Sequence, residues 1–109
     1  MSKFTDAGHA YLPGMYQDSY FPGPLVDRVM QQLEMLVVFL EEHPRSLAEV
    51  QDRCDAMTDA INELQDAFAE DGSELETGAR DDIATTLAAI LTTYGVELDL
   101  EDALRNRDW

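Results

Sequence analysis

Six carboxylates recur at helical spacing in one segment: Asp52, Asp55, Asp59, Glu63, Asp66 and Glu70. Steps of three, four and seven place them on one side of a helix. Hard cations such as Mg²⁺ take carboxylate oxygens, so the stripe is a candidate metal site. It is not free of cost: like charges four apart destabilise a helix by about 0.2–0.5 kcal/mol per pair. Acids near a helix C-terminus also oppose its dipole. The plainer reading is a solvated face opposite an apolar seam.

The metal chemistry can be narrowed. Glu63-x-x-Asp66 has the E-x-x-D step used by helical nucleoside-triphosphate pyrophosphatases, and Asp52-x-x-Asp55 is a weak stand-in for their E-x-x-E step. These residues face away from the seam, so a second helix would have to complete the pocket. A di-iron site is disfavoured because the sequence has no Glu-x-x-His. His9 and His43 are the only histidines, and neither is assigned a catalytic role. His43 is expected at a helix C-terminus, where the dipole favours its charged form. Cys54, the single cysteine, lies inside the apolar seam and reads as a small core residue. With no Gly-rich phosphate loop either, no catalytic residue and no cofactor is assigned.

The chain carries a formal net charge of −16, with Lys3 its only lysine and arginines at 28, 45, 53, 80, 105 and 107. Such a surface repels phosphates and anionic headgroups, so nucleic acid and membrane are not expected partners. A basic partner, a cation, mimicry of nucleic acid, or simple solubility would each suit it. No apolar run approaches the ~18 residues of a membrane span. The N-terminus lacks the pattern of a secretory signal, and one cysteine cannot form an internal disulfide, so a cytoplasmic location is expected.

These residues must be held by helices. Pro24 suits a first helical turn. Leu25, Val26, Val29, Met30, Leu33, Leu36, Val37 and Leu40 then follow a helical period, which predicts a helix over 24–42 that stops before Pro44. Ser46-x-x-Glu49 is a capping box that opens a second helix. Its seam of Val50, Cys54, Met57, Ile61, Leu64 and Phe68 is the strongest periodic signal in the chain.

Gly72 can end that helix in a left-handed conformation. The following "GSELETGAR", residues 72–80, then reads as helix punctuation. Ser73-x-x-Glu76 would be a second capping box, and Glu76 and Arg80 an ion pair four apart. Gly78 is left over, with close approach of another helix as its expected reason. Leu75, Ala79, Ile83, Leu87, Ile90, Leu91 and Tyr94 carry the third helix to Gly95. Asp99 caps a short last one, and Trp109 is expected to pack back. The fold class is therefore all-α: a single domain over 1–109, built as an antiparallel three-helix bundle with a short fourth C-terminal helix. Residues 1–23 are expected to be an irregular covering segment, rich in aromatic side chains.

Four pieces, "YQDSYFPGPLVD", "INELQDAF", "GSELETGAR" and the final "RDW", together resemble a family of small bacterial proteins known only as a domain of unknown function. Its members look like "SYF…LVD", then "GSEIETVAR", then "RDW". The likeness spans residues 16–109 and departs at Gly78, where the family carries valine. It implies a single-domain helical bacterial protein and brings no activity, ligand or functional residue.

The function expected is a non-enzymatic protein-binding or regulatory module, an antitoxin-like or immunity-like inhibitor being one concrete version. The alternative is a Mg²⁺-dependent enzyme acting on phosphorylated small molecules. Met35, Val38 and Phe39 form a second apolar patch on the first helix, beyond its core face. Tyr16, Tyr20 and Phe21 are expected to cover it; otherwise the patch meets a partner protein or a second copy of the chain.

Overall fold

The computed structural model describes residues 2–42 and 46–109, so the expectation for His43 lies outside the described residues. The long helices fall where apolar side chains recur at helical spacing: α3 over Gly23–Glu41, α4 over Leu47–Glu70 and α5 over Thr77–Thr93. The described residues are otherwise helical only in short pieces, α1 at Lys3–Asp6, α2 at Pro13–Gln17 and α6 at Leu100–Ala103. The all-α bundle read from the sequence is the fold observed.

Each apolar stripe is buried. All six seam residues of α4, from Val50 to Phe68, are in the core. Leu25, Val26, Val29, Leu33, Leu36, Val37 and Leu40 join them from α3, and Ala79, Ile83, Leu87, Ile90 and Leu91 from α5. Two helix ends are closed by the same device. Gly72, at φ +76°, lets Ser73 N–H reach Phe68 C=O at 2.8 Å. Gly95, at φ +66°, lets Val96 N–H reach Leu91 C=O at 2.9 Å. Both are six-to-one Schellman closures that need a left-handed residue after the helix. Ser46 opens α4 as expected, its Oγ accepting from Glu49 N–H at 3.2 Å.

Four expectations are corrected. Residues 1–23 are not irregular throughout, because α1 and α2 lie within them. The segment is pinned by α5: Thr86 Oγ accepts from Leu12 N–H at 3.2 Å, and the Asp82 carboxylate accepts from Met15 N–H at 2.8 Å. Asp82 thus caps α2, whose own N-cap residue, the buried Leu12, sits in the left-handed region at φ +49° with no side-chain acceptor. The third helix also starts later than the capping box implied. Ser73 is spent on closing α4, and Glu76 is the N-cap of α5, accepting from Gly78 N–H at 3.1 Å. With Glu76 so engaged, Arg80 donates to the Thr77 hydroxyl at 3.2 Å and makes no ion pair with Glu76. Gly78 has no neighbouring helix against it; a Cβ there would meet the Glu76 carboxylate at 2.9 Å.

Candidate functional site

The acidic stripe of α4 is divided by the C-terminal segment. Arg105 forks onto Asp55, with Nε to Oδ1 at 3.1 Å and Nη2 to Oδ2 at 2.6 Å. Asn106 donates to Asp59 at 3.3 Å, and Asn62 binds the backbone on both sides of Arg107. The Arg105 hydrogen bond holds the Asp55 carboxyl below the usual carboxylate range. Trp109 then buries its ring, with the Arg107 guanidinium 5.7 Å from its centre. Two of the six acids are therefore anchors for "RNRDW". Asp52, Glu63, Asp66 and Glu70 stay exposed. Among the described residues, no three His, Cys, Asp or Glu side chains converge as a metal-holding group.

The other single groups are accounted for by packing. Cys54 is fully buried, and desolvation pushes its thiol up to about 11, which keeps it neutral. Thr58, buried beside it, donates back to the Cys54 carbonyl at 2.7 Å. His9 stacks on Phe4 with ring centres 5.1 Å apart.

The remaining candidates separate into two places. Tyr16 donates to Asp27 at 2.6 Å, near the start of α3. Phe21 is buried, and Tyr20 meets its ring edge-on. Asp27 and Val38 are eleven residues apart, or about 16 Å along a helix. So Tyr16 and Tyr20 do not cover the apolar patch, contrary to the expectation. Met35 and Val38 are instead 54% and 53% exposed. Phe39 is half-buried and carries the Arg53 guanidinium 5.0 Å above its ring.

Around this patch the surface is grooved. Glu34, Met35, Val38, Phe39, Glu42 and Arg53 line a depression of about 230 Å³. Beside it, a groove of about 450 Å³ runs over Val37 and Val38 to Tyr11 and α1. On the other side, about 310 Å³ extends over Phe39 and Arg53 to Ala56 on α4. The α1 end is tied down: Lys3 N–H donates to the Glu41 carboxylate at 2.9 Å. Phe4 N–H donates to the Tyr94 hydroxyl at 3.3 Å, which in turn donates to Glu41. The floor of the grooved face is apolar, and its rim is acidic.

The sequence located Met35, Val38 and Phe39 but not Glu34, Glu42 and Arg53. One signal was available for the last. Phe39 and Arg53 are equidistant from Ser46, so an antiparallel α3–α4 hairpin brings them face to face.

No curated protein and no solved structure gives a match to this chain. A family model does match, over residues 5–109. The chain belongs to that family, the family of unknown function DUF5713.

Proposed function

We propose that the protein is a non-enzymatic binding module that recognises another protein through the outer face of α3. The observation that carries this reading is the contiguous exposure of Met35 and Val38 beside Phe39, in a groove rimmed by carboxylates. Singly exposed apolar side chains are ordinary, whereas clustered ones rimmed by polar groups mark interaction sites. A net charge of −16 adds long-range attraction for a basic partner. An antitoxin-like or immunity-like inhibitor of a basic protein is a concrete form of this activity, in a bacterial cytoplasm.

The test is affinity capture from a native lysate with the wild-type protein and with Val38→Glu as bait. The proposal expects a partner held by the wild type, lost by the variant, and released by raised salt. A partner retained equally by both would place the interaction elsewhere. Calorimetry with Mg²⁺ tests the enzyme alternative: binding tighter than about millimolar that disappears in Glu63→Gln would overturn the module reading.

A further inference from the structure

We propose that the occupant of the grooved face is a basic amphipathic helix of the partner, laid across the C-terminal half of α3. This rests on the protein-binding reading above and adds the chemistry of the ligand.

The spacing of rim and floor makes the case. Glu34 stands one turn before Val38 on α3, and Glu42, the residue that caps the helix C-terminus, one turn after it. An apolar side chain seated on Val38 therefore has a carboxylate about 6 Å away on either side along the axis. Glu34, Val38 and Glu42 line both of the adjoining grooves, so this alternation is shared across them. A helix matches it by carrying an apolar anchor with lysine or arginine three or four positions away on each side. The apolar contact supplies affinity and the flanking cations supply register and attraction.

Other occupants fit less well. A second copy of this chain would bring another −16 and set the same carboxylates against each other across a two-fold axis. Nucleic acid and anionic lipid are repelled by the same field. An acidic or neutral helix leaves Glu34 and Glu42 without counter-ions. Arg53 is the one cation lining these grooves, and it sits on Phe39 without an ion pair among the described residues. It shows that a guanidinium is accommodated over that ring. It is also the one like charge a basic helix must meet.

The experiment uses a fluorescent peptide of about 18 residues, built from leucine, lysine and alanine with lysines one turn either side of each leucine. A control has the same composition reordered so that the leucines share no face. Binding is read by anisotropy at moderate salt. The patterned peptide is expected to bind at least about tenfold more tightly than the reordered one. The charge-neutral double variant Met35→Ser, Val38→Ser should weaken it by about tenfold. Glu34→Gln with Glu42→Gln should weaken it by about threefold to tenfold, and Glu70→Gln with Glu74→Gln, an equal change of charge elsewhere, by less than about twofold. Arg53→Ala should tighten binding, and the distant Arg28→Ala should not. Equal binding of the two peptides, or equal effects of the two glutamate pairs, would overturn the proposal. Failure of the peptide, with a lysate partner still captured in a Val38-dependent way, would sink the basic helix and leave the binding module standing.

Discussion

Ser73→Ala should make the protein more stable, by about 0.5–2.5 kcal/mol. The side chain is only 2% exposed, and its Oγ has no hydrogen-bond partner among the described residues. A buried hydroxyl in that condition costs about 1–3 kcal/mol. Removing it opens a hole the size of one oxygen, which returns about 0.5 kcal/mol of that gain. The bond that closes α4 uses the Ser73 N–H, which alanine keeps. If Ser73 were instead the N-cap of α5, the same change would cost about 0.5–2 kcal/mol. The two placements of Ser73 thus give stability changes of opposite sign. Glu76→Ala supplies the complement: it removes the acceptor of Gly78 N–H and should cost about 0.5–1 kcal/mol. Urea unfolding followed by far-ultraviolet circular dichroism measures both. A loss above about 0.5 kcal/mol in Ser73→Ala, with no loss in Glu76→Ala, would refute this account of the α4–α5 turn.

Four further expectations come from other contacts. Desolvation pushes Tyr11 and Tyr16 up to about 12, helped at Tyr16 by its bond to Asp27. Their folded values exceed the unfolded one, so this stabilisation is complete below about pH 10 and fades as pH rises towards 12. An ultraviolet titration should show part of the tyrosine signal ionising late; a single transition near the free-tyrosine value would contradict it. Asp55 behaves oppositely: its lowered value gives stability above about pH 4 that disappears as pH falls through the folded value. Arg105→Gln should therefore flatten the acid limb of melting temperature against pH, and an unchanged slope would mean that Asp55 draws no stabilisation from Arg105. Leu12→Ala should cost about 2–5 kcal/mol, because the side chain is fully buried. Thr86→Val should cost about 1–3 kcal/mol by orphaning the Leu12 N–H. Chemical denaturation reads both, and a silent Thr86→Val would mean that α5 does not hold this loop.

Legibility in the sequence followed the range of the forces involved. The seam from Val50 to Phe68 and the stripes of α3 and α5 were visible because burial imposes a 3.6-residue period on one segment at a time. Gly72 and Gly95 were visible because a left-handed helix end nearly requires glycine. The Ser73-x-x-Glu76 pattern misled because a capping box and a Schellman closure compete for adjacent residues, and only packing decides which side claims the serine. Asp82 as the cap of α2, Thr86 as the partner of Leu12, and Arg105 on Asp55 were invisible. Each pairs residues roughly fifty or more positions apart, and no local rule connects them. The acidic stripe therefore looked uniform in sequence, although two of its members hold the C-terminal segment. For the candidate site, the exposed apolar floor could be read from one helix. Arg53 on Phe39 needed the pairing of two helices.

The measurement closest to the central claim is amide shift mapping of the isotope-labelled protein during titration with the patterned basic peptide. Perturbed amides are predicted to cluster from Glu34 on α3 to its C-cap Glu42 and on α4 from Glu49 to Ala56, the stretches that line the grooves. Shifts centred on Glu63, Asp66 and Glu70, or spread evenly over the acidic surface, would contradict it.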